Sequence, residues 1–354
     1  MSVFYEVETK KEKVNEEELS VACFVLLTNN SAFNLPEGEN SYSVDLLGRP
    51  MFEFVTRVCP TRPVTIECRE EDNPLDVIKP YLRDKELTLV LYGDTPLLTK
   101  GNINNILNFV LSHELNVCKL SRGYVFKTDY IKRVDEIFAP QTYFFAEEEF
   151  NHPTNLKELA SISKTLERKI IDYHLEQGVR FVDTGSVYIE GDVSINSGAI
   201  IGPMVSLCGE TKIGQNVKIG AFSKINSSVI GNNSVVGSSC ITESVVQDNC
   251  IIGEGVCINS HSFIGDGTKI DNGAKISETS VSQNVSIGED STLKFARIYK
   301  DANILPKAVL IGDNTQFARV LKNATVGAGA IISEGVAIPE NGNVAPLSIM
   351  KKEN

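Results

Sequence analysis

The sequence predicts an α/β domain followed by a β domain, which is a parallel β-helix, with one long helix between them. Three observations support this prediction. Apolar runs alternate with helical patterns over residues 20–152, one amphipathic pattern covers 153–178, and aliphatic residues recur at steps of six through most of 179–354. A charged, polar stretch at residues 1–19 precedes these parts and is predicted to be a disordered tail.

The six-residue period is the strongest of these signals. Seven aliphatic residues follow one another at this spacing without a break: Ile189, Ile195, Ile201, Leu207, Ile213, Ile219 and Ile225. A period of six fits neither a helix nor the alternating strands of an antiparallel sandwich. It fits a solenoid whose short strands turn a corner after each repeat and point the aliphatic side chain inward.

Slips of register interrupt the column, which then resumes. In the first resumed stretch, the side chains expected to point inward are those of Ile230, Val236, Ile241, Val246, Ile252, Ile258, Ile264, Ile270 and Ile276. In the last stretch, the side chains expected to point inward are those of Ile287, Leu293, Ile298, Ile304, Ile311, Phe317, Val326, Ile332 and Ile338.

The segment before the solenoid has the pattern of a small α/β domain. Strand-like apolar runs occupy residues 22–27, 63–68 and 87–92, and helical patterns lie near Met51–Val58, Pro74–Arg83, Asn102–Leu111 and Asp129–Ile137. This alternation predicts a parallel sheet with helices on its faces. The helix that follows has Thr154 or Asn155 as its N-cap and Gly178 at its end.

Composition excludes several classes of function. The formal charge of −12 disfavours nucleic acid as a partner, because phosphates would be repelled. No apolar run approaches the ~20 residues that span a bilayer, and the first residues lack a secretory signal, so we expect a cytoplasmic protein that does not insert into membranes. The eight cysteines have neither CxxC pairs nor a histidine at zinc spacing, which favours reduced thiols.

Three stretches carry a resemblance to one family. They are LVLYGDTPLL (89–98), the segment 155–195 that leads from the helix into the first coil, and the segment 309–341 near the end of the solenoid. They resemble the bifunctional enzyme that joins N-acetylglucosamine-1-phosphate uridyltransferase to glucosamine-1-phosphate N-acetyltransferase. The resemblance implies a shortened Rossmann-like nucleotidyltransferase-type domain, a left-handed β-helix and a homotrimer.

The resemblance also locates the family's uridyl-transfer site. Uridyl transfer requires a Gly-rich loop, cationic side chains and Mg²⁺ around the triphosphate. Thr28 and Asn30 stand where the family has two loop glycines, Ala32 replaces its arginine, and the lysine position falls near Ser41. The family's uracil-reading stretch is replaced by acidic residues in 70–74. These changes predict the loss of uridyl transfer.

Part of that site survives. By resemblance, Tyr92, Gly93 and Asp94 are candidate nucleotide-binding residues, and Asp94 and Asn151 are candidate ligands of Mg²⁺. The alternative is that Asp94 only closes the turn before Pro96 and that Asn151 is an ordinary loop residue. If these groups remain functional, the chain is a sugar-phosphate nucleotidyltransferase that uses Asp94.

The acetyl-transfer site has changed as well. Acetyl transfer requires a general base near the acceptor amine. The family's histidine corresponds to Phe295, which takes no proton, its sugar-phosphate arginine lies near Asn259, and its loop into the neighbouring subunit has no counterpart after Leu310. His261, the histidine within the repeats, is the candidate base for a rearranged hexapeptide acyltransferase, which would use acetyl-CoA. The alternative is an exposed corner histidine.

Taken together, the residues predict a diverged relative that lacks both parent activities and acts as a binding or scaffold protein of the sugar-nucleotide pathway. A sugar nucleotide is a candidate ligand. The two alternatives are an acyltransferase that uses His261 and a nucleotidyltransferase that uses Asp94. A third is a structural β-helix whose N-terminal domain only covers the end of the solenoid.

Overall fold

The computed structural model describes residues 20–37, 39–139 and 142–352. The predicted polar tail at 1–19 lies outside this range. The described chain forms two units with the boundary between Lys169 and Ile170. This boundary falls inside the long helix, so the helix contributes residues to both units.

The described part of the N-terminal unit contains seven strands, which in chain order are β1 (Val21–Thr28), β2 (Asp45–Leu46), β3 (Arg49–Pro50), β4 (Val64–Cys68), β5 (Leu87–Tyr92), β6 (Val117–Leu120) and β7 (Gly123–Lys127). Five of them form one sheet of order β4-β1-β5-β7-β6, and β2 pairs with β3. Strands β4, β1 and β5 are parallel, as the sequence predicts. Strand β1 is buried along its whole length, because helices cover both faces of the sheet.

The prediction of a purely parallel sheet is wrong at one edge. Strands β6 and β7 form an antiparallel hairpin with two residues, Ser121 and Arg122, between them, and β7 pairs antiparallel with β5. Strand β7 can approach β5 closely at its start because residue 123 is glycine. A Cβ atom on Gly123 would lie 2.5 Å from the carbonyl oxygen of Val90.

The helices of this unit are α1 (Met51–Val58), α2 (Pro74–Ile78), α3 (Lys100–Ser112) and α4 (Thr128–Ile131), with 3-10 turns at Ser31–Phe33, Ser41–Ser43, Lys79–Tyr81 and Glu147–Phe150. Helices α1 and α3 pack on one face of the sheet, and α2 and α4 on the other. Two predicted helices are shorter than expected. Helix α2 gives way to a 3-10 turn that contains Pro80, and the pattern at 129–137 forms a single turn.

Helix α5 (Leu156–Glu176) follows the predicted span closely. At its start the Asn155 side chain accepts from the amide of Glu158 at 3.0 Å, while the Glu158 carboxylate accepts from the amide and hydroxyl of Thr154, both at 2.8 Å. Both predicted capping residues therefore take part in a reciprocal arrangement. At its end Gly178 adopts a φ of 84°, the left-handed conformation that stops a helix.

The C-terminal unit is the predicted left-handed parallel β-helix of six-residue repeats, which confirms the fold class. It has three faces. The first face consists of Arg180–Phe181, Ile200–Ile201, Lys218–Ile219, Val235–Val236, Ile251–Ile252, Lys269–Ile270, Ser286–Ile287, Asn303–Ile304, Thr325–Val326 and Asn343–Val344. The second face consists of Tyr188–Ile189, Ser206–Cys208, Lys224–Asn226, Cys240–Thr242, Cys257–Asn259, Lys275–Ser277, Thr292–Lys294, Val309–Ile311, Ile331–Ile332 and Ile349–Met350. The third face consists of Ser194–Ile195, Lys212–Ile213, Val229–Ile230, Val245–Val246, Phe263–Ile264, Ser280–Val281, Ala296–Ile298, Ala318–Val320 and Ala337–Ile338.

The aliphatic column predicted from the sequence is buried from Ile189 to Ile304. Two later positions are wrong by register. Leu310 and Val320 are fully buried, whereas Ile311 is 44% exposed and Phe317 is only half-buried. Leu310, not Ile311, lies six residues after Ile304, so Ile311 is one residue out of step with the period. Phe317 lies in a longer connection, residues 312–317, which separates two strands and shifts the period that follows.

Candidate functional site

The first candidate site lies at the edge of the sheet where the parallel strands of the N-terminal unit end. Strand β1 ends at Thr28, β4 at Cys68 and β5 at Tyr92. In open α/β sheets ligands bind outside the carboxyl ends of the strands. Asp94 lies two residues beyond β5, and Glu70 lies two residues beyond β4, so both carboxylates are found at this edge.

Arg122 joins these two carboxylates. Its Nε donates to Asp94 Oδ1 at 3.2 Å and its Nη2 donates to Asp94 Oδ2 at 2.6 Å. Its Nη1 and Nη2 also donate to the two carboxylate oxygens of Glu70, the latter at 3.0 Å. The guanidinium carbon lies 4.2 Å from the centre of the Tyr92 ring. We call this arrangement of Arg122, Asp94, Glu70 and Tyr92 the Arg122 cluster.

The electrostatics of the Arg122 cluster follow from burial and pairing. Burial by itself would lower the pKa of Arg122, but its hydrogen bonds to Glu70 and Asp94 outweigh this and raise the pKa. Hydrogen bonds from Arg122 hold the pKa of Glu70 below its usual value. Burial raises the pKa of Tyr92 to about 12. The guanidinium is therefore a fixed cation that is hydrogen-bonded to two carboxyl groups.

The loop after β1 is closed by its own hydrogen bonds. The amide of Asn30 donates to Ser41 Oγ at 2.8 Å, and the amide of Ser41 donates to Asn29 Oδ1 at 2.9 Å. The Asn30 side chain accepts from the amide of Ala32 at 3.0 Å and so caps the 3-10 turn at Ser31–Phe33. A phosphate-binding loop presents its amides outward. In this loop the amides of Asn30, Ala32, Phe33 and Asn34 donate within the protein.

The residues at this edge do not fit Mg²⁺ as they are arranged. Both carboxylate oxygens of Asp94 accept from Arg122, and its side chain is 14% exposed. Asn151 follows the 3-10 turn at Glu147–Phe150 and is exposed. Within residues 20–37, 39–139 and 142–352, no group of three or more histidine, cysteine, aspartate or glutamate residues is placed to hold a metal ion. The Mg²⁺ role of Asp94 and Asn151 stays a prediction that this geometry does not favour.

A cavity of about 670 Å³ lies elsewhere in the N-terminal unit. Its lining residues are Leu97, Phe144, Ala146, Glu147, Glu148, Glu149, Thr165 and Lys169. Lys169 Nζ donates to the carbonyl oxygen of Leu97 at 3.3 Å, and Glu149 Oε2 accepts from the amide and hydroxyl of Thr99 at 2.9 Å. The three glutamates give this cavity an acidic lining, which is unfavourable for a triphosphate.

The second candidate site is the solenoid corner that contains Phe295. This residue adopts a φ of 49°, which is rare for an aromatic side chain. Its ring packs edge-on against Phe317, with the ring centres 6.4 Å apart. Lys294 Nζ lies 5.6 Å from the centre of the Phe295 ring, and the Arg297 guanidinium lies 4.2 Å from that of Phe317. The corner thus places two phenyl rings where the family's base is expected.

His261 lies at an earlier corner of the solenoid. Ser260 and His261 both have positive φ, and this corner has three residues between its strands, one more than the equivalent corner of the preceding coil at 243–244. The imidazole is 78% exposed, and its Nδ1 lies 3.8 Å from Glu243 Oε2. A carboxylate can orient a histidine base. A histidine base normally operates in an enclosed site from which water is excluded, whereas the His261 imidazole is open to water. The role of His261 as a base stays a prediction.

The sequence predicted correctly that Asp94 lies at the carboxyl-end edge of the sheet, but it did not predict the part that Arg122 plays there. The residue lies in a hairpin turn 28 positions after its partner Asp94, and none of the three family-like stretches includes it. The signal that could have found it was the short β-like pattern around residues 117–127, which is typical of a hairpin whose turn, Ser121 and Arg122, is followed by a glycine.

Comparisons with known proteins agree with the resemblance found in the sequence. A family model described as the GMPPB C-terminal domain matches residues 184–291. Bifunctional GlmU proteins of Alkaliphilus metalliredigens and Clostridioides difficile are 38% and 42% identical over 60 and 59 residues, which is 17% of this chain. The chain is similar to bifunctional GlmU proteins. The GlmU protein of Rubrobacter xylanophilus is 32% identical over 96 residues, 27% of this chain and 20% of that relative.

The GlmU-like resemblance predicted from the residues is thereby confirmed. The chain covers only 13% of the length of each of the first two GlmU relatives. Among solved structures, the UDP-N-acetylglucosamine acyltransferase of Francisella novicida matches with a TM-score of 0.36 and 20% identity over 46% of this chain and 65% of that one. LpxA of Bacteroides fragilis 9343 matches with a TM-score of 0.27 and 19% identity, over 46% and 71%.

Proposed function

We propose that this GlmU-like chain catalyses neither uridyl transfer nor acetyl transfer and acts as a binding or scaffold protein of the sugar-nucleotide pathway. The observation that carries the proposal is the pairing of Arg122 with both carboxylate oxygens of Asp94. The family resemblance assigns Mg²⁺ to this carboxylate. A guanidinium in that place supplies positive charge but is not a Lewis acid, and its N–H groups already donate to Asp94 and Glu70.

Two further features of the N-terminal unit support the loss of uridyl transfer. The amides of Asn30 and Ala32 in the loop after β1 donate within the protein, so they do not offer a cradle for a triphosphate. Glu70 adds a second carboxylate at the same edge, and its charge would repel the phosphates. Removal of a single donor from such a transition state typically costs about 10²–10³ in rate, and here several groups are changed together.

The solenoid supports the loss of acetyl transfer by a separate route. Phe295 stands at the expected position of the general base and packs against Phe317. An apolar ring neither removes a proton from an amine nor donates to an oxyanion. Because the two sites have changed independently while the fold is intact, a non-catalytic role accounts for both changes at once.

The test is direct assay of the purified full-length chain. One reaction contains UTP, N-acetylglucosamine-1-phosphate and Mg²⁺, and the other contains acetyl-CoA and glucosamine-1-phosphate. We expect diphosphate and coenzyme A release to equal the background without protein. Turnover above background in either reaction would refute the corresponding half of the proposal. A homotrimer, which the resemblance implies, is checked on the same sample by sedimentation equilibrium.

An acyltransferase that uses His261 is the second candidate function, favoured by the 3.8 Å approach of Glu243. If it operates, His261→Ala abolishes acetyl-CoA-dependent transfer, whereas His113→Ala, at an exposed histidine in the other unit, leaves it unchanged.

A nucleotidyltransferase that uses Asp94 is tested in parallel. If that activity exists, Asp94→Ala removes metal-dependent nucleotide binding, and absence of binding to the unmodified protein excludes the activity.

A further inference from the structure

Two cysteines are stacked on the second face of the solenoid. Cys240 and Cys257 are register partners in neighbouring parallel strands, and both are half-exposed. Register partners in adjacent strands lie about 4.8 Å apart, which falls inside the range of about 4.4–6.8 Å between the Cα atoms of disulfide-bonded cysteines. Side chains at partnered positions project from the same side of the sheet, so the two sulfur atoms face the same solvent region.

Basic residues continue the column on both sides of this pair. Lys224 is the register partner of Cys240 in the preceding strand, and Lys275 is the partner of Cys257 in the following one. The outward column therefore runs lysine, cysteine, cysteine, lysine. A nearby ammonium favours the thiolate, which is the reactive form of cysteine. The Asn259 side chain adds a donor, with its Nδ2 at 3.6 Å from Cys257 Sγ.

We infer that Cys240 and Cys257 form an oxidisable dithiol that reacts with hydroperoxides and closes a disulfide between two successive coils. In the first step one thiolate attacks a peroxide oxygen, an S–O bond forms, the O–O bond breaks, and the departing oxygen takes a proton to leave as water or an alcohol. In the second step the other thiol attacks the sulfenic sulfur, an S–S bond forms, and the hydroxyl leaves as water with the thiol proton.

The other cysteine of the second face is differently placed. Cys208 is also half-exposed, but its register partner is Asn226, and its Sγ lies 3.3 Å from the hydroxyl of Ser206. Oxidation of Cys208 would therefore stop at the sulfenic stage or continue to higher oxides. Burial raises the pKa of Cys257, with Cys240 contributing in the same direction and Lys275 opposing it, so we expect the reaction to accelerate as pH rises.

The test uses the full-length protein, fully reduced, desalted and treated with hydrogen peroxide. Unreacted thiols are then alkylated under denaturing conditions, and the digest is examined by mass spectrometry without reduction. We expect the number of alkylated thiols to fall by two from the eight in the chain, and a peptide pair joined through Cys240 and Cys257 to appear. A rise in the melting temperature that dithiothreitol reverses should accompany the cross-link.

Three variants make the outcome specific. Cys240→Ser and Cys257→Ser should each abolish the joined peptides and the reversible rise in melting temperature, while Cys208→Ser should leave both unchanged. Circular dichroism before oxidation checks that each variant is folded. If Cys240 and Cys257 stay fully alkylatable after peroxide, or if the cross-links join other cysteines or separate chains, the inference is overturned.

Discussion

Arg122 donates from Nε and Nη2 to the two carboxylate oxygens of Asp94, at 3.2 and 2.6 Å. Under the proposed function, this pairing accounts for a strand-end motif that persists without a metal. The carboxylate still has a cation beside it, but that cation is covalently part of the protein and comes from a hairpin turn. The proposal then assigns the motif a structural role, in which its ion pair with Arg122 stabilises the fold.

The first prediction concerns that pairing. Replacement Arg122→Ala leaves the Asp94 carboxylate at a site where its side chain is 14% exposed and without its bidentate partner. Removing one partner of a largely buried ion pair leaves the other charge unpaired and should lower the free energy of unfolding by about 3 kcal/mol. Urea denaturation measures this change. Lys132→Ala serves as the control, because Lys132 pairs with the exposed Asp84, and we expect no measurable change there.

A second prediction concerns acid stability. His174 is 1% exposed, neither ring nitrogen has a hydrogen-bond partner within the described part of the chain, and burial lowers its pKa from 6.5 to about 4. Between pH 4 and pH 6.5 the unfolded chain therefore carries a proton on His174 that the folded chain does not carry. The stability contributed by neutral His174 is complete above pH 6.5 and is lost as pH falls toward 4, by about 3 kcal/mol in all.

The variant His174→Leu removes this titration while it keeps an apolar side chain in place. The loss of stability between pH 7 and pH 4 should be smaller in the variant than in the unmodified protein, by an amount on the order of 3 kcal/mol. His113→Leu removes an exposed histidine as a control. Equal pH dependence of unfolding for His174→Leu and the unmodified protein would contradict the assignment.

The third prediction tests the register of the solenoid with two neighbours of the same residue type. Ile252 is 1% exposed and Ile251 is 50% exposed. Ile252→Ala leaves a cavity in the aliphatic column and should cost about 3 kcal/mol, whereas Ile251→Ala should change the free energy of unfolding by less than about 0.5 kcal/mol. Similar losses for the two variants would mean that the inward and outward positions are assigned wrongly.

The fourth prediction concerns the spacing between coils. A Cβ atom at Gly237 would lie 2.7 Å from the carbonyl oxygen of Gly253 in the next coil. The amide of Gly237 donates to the carbonyl oxygen of Ile252 in that coil at 2.8 Å, so the backbone has little room to move away. Gly237→Ala should therefore destabilise the protein by about 2 kcal/mol. At Gly185 the nearest atom is Asp183 Oδ1 at 3.5 Å, an ordinary contact, so Gly185→Ala should have a much smaller effect on the melting temperature.

Much of the fold was predictable because its determinants are local or periodic. The column from Ile189 to Ile304 could be counted from the sequence, since each coil repeats the same requirement for a buried aliphatic. At Ile311 the prediction left the six-residue step, which falls on Leu310, and at Phe317 counting failed because a longer connection, residues 312–317, enters one coil. Periodicity measures distance along the chain, and an insertion changes that distance without changing the coil.

The candidate site was less predictable, because it depends on contacts between distant positions. Asp94 could be located from its motif and its place after a strand. Its partner Arg122 lies in the two-residue turn of an antiparallel hairpin, and a purely parallel sheet has no such hairpin. The closed loop after β1 was predictable only as a loss of glycines, since the hydrogen bonds that Asn29 and Asn30 make with Ser41 depend on how a separate 3-10 turn packs.

Binding of Mg²⁺ and UTP to the full-length protein tests the central claim most directly. A ligand at 100 times its dissociation constant stabilises a folded protein by about 2.7 kcal/mol, which a thermal-shift measurement detects readily. We predict no shift in melting temperature when millimolar UTP and Mg²⁺ are added together, beyond the shift from Mg²⁺ alone. A UTP-dependent shift that requires Mg²⁺ and disappears in Asp94→Ala would contradict the account.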